Sequence, residues 1–396
     1  MTLVSTRTAQ RTHVFTESVI REMTRVAQLH NAINLSQGFP DFPAPDFLKE
    51  AACRAIMADI NQYAITWGTP RLRDALVRKY RDWYGLEVVG DREVTVTCGA
   101  TEAMASVMLA VIDPGDEVIV MEPFYENYGP DAVLCGAAPV YLTLEAPNYE
   151  LDVDRLRSLI TPRTRAIVVN TPNNPTGRVF NREEMEALAS ICVEHDLLAI
   201  TDEIYEKILY EGEHIPLAAM DGMRERTIIV SGFSKTFSVT GWRVGTIIAP
   251  ADLTQAIRKV HDFLTVGAPA PLQDACAAGL EVMGDDYYSD MIEKYRERRG
   301  ILLRALQDTG FRCQAPEGAY YILADFSDLS SQDDVTFAKQ LTREGGVATV
   351  PGSSFFRSDG NGKVGGQNLI RFVFCKKLET LHEAADRLRS FAGRGA

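Results

Sequence analysis

The chain has 396 residues, and its 41 Lys and Arg against 54 Asp and Glu give a net charge of −13. This length predicts two domains, or one large domain with a smaller one. A composition of 46% hydrophobic and 24% charged residues is typical of globular proteins and argues against the disordered, collagen-like and membrane classes. The acidic balance argues against general binding to nucleic acids or anionic membranes, but it is compatible with a local basic pocket.

The cysteines and the apolar runs indicate a compartment. Seven cysteines lie far apart without a CxxC pair, which favours buried free thiols over a disulfide framework or a zinc site. The first 30 residues contain no apolar core of signal-peptide length, and no uncharged apolar run approaches the roughly 18 residues of a membrane span. We therefore expect a cytoplasmic protein with no metal site.

The N-terminal 45 residues predict a helix followed by an extended segment. Pro40, Pro43 and Pro45 exclude a helix in the stretch 37-QGFPDFPAP-45. The central part of the chain alternates short apolar runs with helical patterns, such as residues 182–196. The runs are 93–98, 117–121, 139–144, 165–170, 197–202, 226–232 and 243–250. This alternation predicts an α/β domain over residues 46–280, with a mostly parallel seven-stranded sheet flanked by helices.

The last third has a different pattern. A long amphipathic helix is expected over 286–309, and a closing helix over 378–391. Between them lie two short strand patterns, 319–326 and 369–374, and a helical pattern over 334–344. Residues 281–396 therefore predict a small α+β domain, with which residues 1–45 are expected to pack.

Three polar side chains follow buried strands, at the edge where open α/β folds bind ligands. They are Asp202, Lys235 in 232-GFSKTFSVTGWRVG-245, and Asn174 in the loop 170-NTPNNPTG-177. Taken singly, each has an ordinary interpretation: a helix N-cap, a solvated surface lysine or a tight turn. A lysine can also hold an aldehyde as a Schiff base.

Two further features suggest anion binding. A helix beginning at about Thr101, after Gly99, offers free backbone N–H groups to a phosphate. Arg371 lies in the apolar strand 369-LIRFVF-374, where it needs either a structural ion pair or a substrate carboxylate. Together these residues suit pyridoxal 5′-phosphate (PLP), because an aspartate beside the pyridine nitrogen makes the ring an electron sink.

On these motifs the chain, from Asn34 to Lys377, resembles the class I aminotransferases of PLP fold type I. The segment 232–245 fits the lysine-site pattern of that family. The segments 34-NLSQGFPDF-42, 170–177 and 371-RFVFCKK-377 are similar to the subgroup of kynurenine/glutamine aminotransferases, cysteine-conjugate β-lyases and bacterial methionine aminotransferases.

The resemblance implies roles around the cofactor ring. Lys235 would be the Schiff-base lysine and the base that moves the Cα proton. Asp202 would bind the pyridine nitrogen, while Asn174 and Tyr205 would bind the 3-oxygen of the ring. Tyr125 would stack on the ring.

It also implies how the anionic groups are held. Ala100, Thr101, Ser234 and Arg243 would bind the phosphate. Tyr63 would reach the phosphate of a neighbouring subunit, which implies a homodimer. The substrate α-carboxylate would be bound by a set of three residues: Gly38, Asn174 and Arg371.

Some positions depart from the family pattern. Gly232 replaces a common serine three residues before the lysine, and the sequence does not identify an arginine that would recognise a side-chain carboxylate. Phe39, Trp67 and Tyr125 suggest a pocket for apolar or aromatic side chains.

The resemblance implies transfer of an amino group from an L-amino acid to a 2-oxo acid. Elimination, substitution or cyclisation at Cβ or Cγ with the same cofactor is the alternative, because the shared residues do not separate these outcomes. A non-enzymatic sensor would need a DNA-binding domain, and only about 30 residues precede Asn34.

Overall fold

The computed structural model describes residues 7–13, 17–358, 362 and 365–393. The α-helices, in chain order, are α1 Val19–Leu29, α2 Asp46–Met57, α3 Pro70–Tyr84, α4 Gly90–Glu93, α5 Ala100–Val111, α6 Tyr128–Leu134, α7 Val153–Ser158, α8 Arg182–Glu194, α9 Ala251–Thr265, α10 Ala270–Val282, α11 Asp285–Asp308, α12 Asp334–Glu344 and α13 Leu378–Ala392. The strands are β1 Ile33–Asn34, β2 Val94–Thr97, β3 Glu117–Glu122, β4 Ala138–Thr143, β5 Thr164–Asn170, β6 Leu198–Asp202, β7 Thr227–Gly232, β8 Gly245–Ile248, β9 Tyr321–Asp325, β10 Val347–Ala348, β11 Val350–Pro351 and β12 Leu369–Val373.

A seven-stranded sheet has the order β2-β8-β7-β6-β5-β3-β4. Its strands are parallel except β8, which runs antiparallel to both of its neighbours. All residues of β3, β6 and β7 are buried, as their unbroken apolar pattern predicts. The fold class is therefore α/β with a mostly parallel seven-stranded sheet, which confirms the prediction from sequence.

Helices cover both faces of this sheet. Val118 and Val120 of β3 pack with residues of α5 on one face. Ile119 and Met121 of the same strand pack with residues of α8 on the other face. Successive side chains of a strand point to opposite faces, so one strand contributes to two separate cores.

Local signals fix the ends of these helices. The Thr69 side chain caps α3, which starts at Pro70 and ends at Tyr84, and the C-cap Gly85 has a left-handed φ of 65°. Asn181 and Glu184 form a reciprocal capping box at the start of α8. The described part of the chain contains no helix that is both long and apolar enough to cross a membrane.

The remaining elements form a second sheet system. β11, β12 and β9 make a three-stranded antiparallel sheet, and β1 pairs with β10 in parallel. Residues of α11, α12 and α13 share one apolar core with this sheet and with Met23 and Leu35 from the N-terminal region. We propose on this basis the domain division expected above, with residues 1–45 and 281–396 in the small domain and 46–280 in the large one.

Candidate active site

A cavity of about 510 Å³ opens at the carboxyl edge of the large sheet, and the N-terminal and small-domain segments form its other walls. Its lining brings together nearly all of the residues predicted from sequence: Gly38, Ala100, Thr101, Tyr125, Asn174, Asp202, Tyr205, Ser234, Lys235, Arg243 and Arg371. A larger groove of about 790 Å³ runs along 146–150 and 311–317, and none of these residues lines it. The smaller cavity is therefore the candidate active site.

Lys235 lies in the turn that follows β7. Its Nζ donates to the backbone carbonyl of Gly38 at 3.3 Å. Burial, together with the positive charges of Arg243 and Arg371, lowers the pKa of this amine to about 8, although Cys375 and Asp202 act in the opposite direction. A much larger fraction of the amine is therefore neutral at pH 7 than for an exposed lysine, and a neutral amine is a nucleophile and a base.

Asp202 is the last residue of β6, and its side chain is buried. Tyr128 Oη donates to its Oδ2 at 2.8 Å, and the N–H of Ile204 donates to its Oδ1 at 3.3 Å. Burial raises the pKa of this carboxyl to about 6, and the two hydrogen bonds limit the rise. A cation placed beside Asp202 would balance the negative charge of the buried carboxylate.

Tyr205 follows in the turn after β6. Its hydroxyl lies 2.6 Å from that of Tyr321, and its ring centroid lies 6.0 Å from Lys235 Nζ. Burial and the neighbouring Tyr321 raise the pKa of Tyr205 well above its usual value. The phenol therefore remains protonated and can donate a hydrogen bond into the cavity.

The beginning of α5 forms the anion-binding end of the cavity. The N-cap, Gly99, has φ 86° and makes no side-chain cap, so backbone N–H groups near Ala100 and Thr101 remain available. A Cβ on Gly99 would collide with the Arg243 guanidinium, so this glycine lets Arg243 approach the helix start. Ser234 lies in the turn just before Lys235 and lines the same cavity.

Arg371 is the largest fully buried side chain, with 1% of its surface exposed. Its Nη1 donates to Asn174 Oδ1 and its Nη2 to the carbonyl of Ser36, both at 2.7 Å. Its Nε has no hydrogen-bond partner among the described residues. The guanidinium, which lies 4.5 Å from the Tyr321 ring centroid, is thus held in place without an acidic partner.

The N-terminal segment forms part of the cavity wall, through residues within 18–21 and 37–39. The Gly38 carbonyl accepts from Tyr320 Oη at 2.9 Å as well as from Lys235, and a Cβ at this position would overlap Tyr321 Oη. Ser18, the N-cap of α1, donates to Glu126 Oε1 at 2.5 Å. Glu126 lies next to Tyr125, so this bond connects α1 to the large domain at the cavity rim.

Tyr63 is the one residue with an expected cofactor or substrate contact that lies away from this cavity. Its surface is 89% exposed. Trp67, also expected in the pocket, stacks instead beneath the Arg258 guanidinium at 4.9 Å. Both residues belong to the segment 61–68, which the structure places outside the cavity lining.

The charges of the cavity fit an anionic cofactor and an anionic substrate. Four cations line it, namely Arg21, Lys235, Arg243 and Arg371. Over the described residues none of them has a carboxylate within 4 Å. Cations without a carboxylate partner, beside a helix N-terminus with available N–H groups, suit a phosphate and a carboxylate. The buried Asp202 suits a protonated ring nitrogen.

A second polar cluster begins at Glu203, the residue that follows Asp202 in the chain. It contains Glu203, Glu206 and His214, whose ligand atoms lie within 4.8 Å of one another. Lys79 forms an ion pair with Glu206, and Tyr84 Oη donates to Glu206 at 2.7 Å. Because these carboxylate oxygens already accept hydrogen bonds, the cluster forms a buried ion-pair network.

The structure adds site residues that sequence reasoning missed. Asn170 belongs to the loop motif 170–177 and Tyr128 lies three residues after Tyr125, but no sequence pattern predicts their bonds to Asp202. Tyr321 and Arg21 were not singled out at all. The position of Tyr321 in an apolar strand gave no signal, because an aromatic residue there is ordinarily part of the core.

The fold and the site together define a PLP-dependent enzyme of fold type I. The family model described as Aminotransferase class I and II matches residues 30–388. The chain belongs to this family, and it is a PLP-dependent aminotransferase.

Individual relatives match over nearly the whole chain. Methionine aminotransferase of Escherichia coli is 39% identical, over 94% of this chain and 95% of that protein. Human kynurenine–oxoglutarate transaminase 1 is 35% identical, over 93% of this chain and 94% of its own length. The structure of N-succinyldiaminopimelate aminotransferase from Mycobacterium tuberculosis superposes with a TM-score of 0.93 at 38% identity, covering 97% and 99% of the two chains.

Proposed function

We propose that this aminotransferase takes the amino group from an amino acid with an apolar or aromatic side chain and passes it to 2-oxoglutarate. The observation that carries the binding of an amino acid is the buried guanidinium of Arg371, which lines the cavity and has no acidic partner among the described residues. Phe39 and Tyr125 line the same space and suit an apolar side chain. The relatives named for methionine and kynurenine support this choice of donor.

We propose 2-oxoglutarate as the compound that receives the amino group for two reasons. One relative is named for oxoglutarate. In addition, Arg21 on α1 lines the cavity rim as a cation with no carboxylate within 4 Å among the described residues. The nearby Glu126 is engaged by Ser18, which leaves Arg21 available for the distal carboxylate of a dicarboxylic oxo acid.

We assign the site residues the roles expected from the family. When PLP is bound, its ring withdraws electrons from the substrate Cα and so acidifies the Cα proton. Lys235 Nζ accepts that proton, since a pKa of about 8 leaves part of the amine neutral near pH 7. Asp202 holds a proton at the ring nitrogen, and Asn174 and Tyr205 orient the ring through its 3-oxygen. Tyr125 covers one face of the ring.

The remaining residues hold the anionic groups. Ala100, Thr101, Ser234 and Arg243 bind the phosphate. Gly38 and Asn174 act with Arg371 on the α-carboxylate, because Asn174 Oδ1 fixes the guanidinium at 2.7 Å. Substrate orientation by such fixed groups contributes to the rate by restricting motion before the reaction.

We also propose a homodimer in which Tyr63 completes the partner's phosphate site. Support comes from a group of exposed apolar side chains on and near the 61–68 segment: Tyr63, Ile65, Phe263, Leu264 and Val266. Patches of this kind mark interfaces. A cytoplasmic location is proposed because all seven cysteines are free thiols.

A visible absorption spectrum of the purified protein tests this function. Adding methionine, kynurenine, phenylalanine or aspartate singly should convert the pyridoxal form to pyridoxamine phosphate, fastest with the apolar and aromatic donors. Adding 2-oxoglutarate should restore the first spectrum, and pyruvate should do so more slowly. Release of ammonia, with an unchanged final spectrum, would instead indicate elimination.

A further inference from the structure

Glu102 is an acidic residue next to the proposed phosphate-binding residues of α5. It lies in the first turn of α5, immediately after Ala100 and Thr101. Its carboxylate is largely buried, with 13% of the side chain exposed, and its Oε2 accepts the N–H of Cys98 at 2.9 Å. It therefore fixes the turn that approaches the phosphate, but its negative charge would oppose a phosphate dianion.

His261 on α9 compensates for this charge. Its side chain is completely buried, and its Nδ1 lies 3.0 Å from Glu102 Oε1. Its Nε2 lies 2.8 Å from the carbonyl oxygen of Thr66. A carbonyl only accepts, so Nε2 carries a proton. Nδ1 lies closer to Glu102 Oε1, at 3.0 Å, than to Thr265 Oγ1, at 3.3 Å, and it must carry a second proton if it is to donate to the carboxylate.

The electrostatics favour this doubly protonated state. Burial alone would lower the pKa of His261, but the hydrogen bond and the charge of Glu102 outweigh it and raise the pKa. Burial would likewise raise the pKa of Glu102, but hydrogen bonds from His261 and Ser106 hold it below its usual value. Both shifts favour an imidazolium paired with a carboxylate, a pair that has little net charge.

The same imidazole joins two pieces of backbone. On one side is the turn 98–102, with the proposed phosphate-binding residues. On the other is Thr66, three residues after Tyr63, in the segment that we assign to the partner's phosphate. Trp67 O in this segment accepts from Val96 of β2 at 3.1 Å, which attaches it to the sheet a second time.

We infer that His261 is a positioning residue for the cofactor phosphate. It neutralises Glu102 beside the phosphate turn and holds that turn and the Tyr63 segment in register. The inference rests on the proposed phosphate roles of Ala100, Thr101 and Tyr63. The proposed role of His261 affects binding of the phosphate group and not binding of the ring. A comparison of ligands with and without the phosphate therefore tests it.

The test compares PLP with pyridoxal, which lacks the phosphate. Dissociation constants are measured on the full-length protein for wild type, His261→Asn, Glu102→Gln and the double variant. His261→Asn leaves a carboxylate unpaired near the phosphate and should weaken PLP binding about tenfold, but pyridoxal binding less than twofold. The double variant should recover most of the loss, and Glu102→Gln alone should bind PLP at least as tightly as wild type.

Several results would overturn the inference. They are an equal loss for PLP and pyridoxal in His261→Asn, a double variant no better than that single variant, or weaker PLP binding by Glu102→Gln. If His261→Asn does not fold, the Glu102→Gln and double variants still decide. A wild-type protein that binds PLP no more tightly than pyridoxal would instead contradict the proposed phosphate site itself.

Discussion

Two polar clusters lie side by side at the carboxyl edge of the large sheet, and they differ in how their charges are balanced. In the cluster that begins after Asp202, Glu203 accepts hydrogen bonds from Thr201 and His214. Glu206 accepts hydrogen bonds from Lys79, Ser231 and Tyr84. In the cavity, cations line the surface without any carboxylate within 4 Å among the described residues. We call the first cluster complete, because its carboxylates accept hydrogen bonds from donors within the chain. We call the second cluster open, because its cations would be balanced by anionic groups of a bound cofactor and substrate. One therefore contributes to stability and the other to binding.

The largest effect should come from Lys235→Ala, which removes the amine from the open cluster. We expect turnover to fall at least about a thousandfold, because a positioned base and nucleophile is lost. Initial rates with the best donor and 2-oxoglutarate measure this. Lys259→Ala, at an exposed position on α9, is the matched control. Near-normal activity of Lys235→Ala would refute the assignment.

The complete cluster can be disrupted at Lys79, which is buried and paired with Glu206. Lys79→Met leaves the Glu206 carboxylate buried without its cation, which should cost about 3–5 kcal/mol of unfolding free energy. Denaturant unfolding at a fixed PLP concentration measures this. The double variant Lys79→Met/Glu206→Gln should regain more than half of the loss. A single variant as stable as wild type would show that the network does not contribute to stability.

Arg371→Lys tests the open cluster more gently, since it keeps the charge and removes the planar fork. We expect kcat/KM for an amino acid to fall about 10- to 100-fold. Activity toward the corresponding amine, which lacks the carboxylate, should change much less. Equal losses for both substrates would mean that Arg371 acts only in folding.

The smallest expected effect is a change in the pH at which the Lys235 amine of the open cluster becomes reactive. In the cofactor-free protein, burial and two arginines lower the pKa of Lys235 to about 8, so the amine becomes neutral as the pH rises through 8. An ordinary lysine does so near 10.4. Labelling of Lys235 by an amine reagent, followed by mass spectrometry, should reach half its maximal rate near pH 8. A midpoint near 10 would remove the basis for a neutral amine at pH 7.

The sequence predicted the sheet and most of the candidate site because both depend on local patterns. Lys235, Asp202 and Asn174 follow apolar runs, and the carboxyl ends of parallel strands meet at one edge. The register of the strands then places Asn170 beside Asp202, a pairing that no local pattern encodes.

Contacts between distant segments could not be predicted in this way. Glu102 and His261 are 159 residues apart, and their pairing depends on how α5 and α9 pack. The sequence does not distinguish an ion pair from a substrate carboxylate as the partner of Arg371. Among the described residues the Arg371 guanidinium donates to an amide and a carbonyl and has no acidic partner, which argues against the ion pair and supports our proposal of a substrate carboxylate.

Gly38 accepts a hydrogen bond from Lys235 through its backbone carbonyl oxygen. No side-chain substitution elsewhere can remove that oxygen, and any substitution at 38 introduces a Cβ that overlaps Tyr321 Oη. A saturation-mutagenesis map of this protein would therefore mark position 38 as intolerant on steric grounds. Such a map would record the lost space and would miss the peptide group that makes the contact, so the contribution of that group is accessible only by backbone chemistry such as ester replacement.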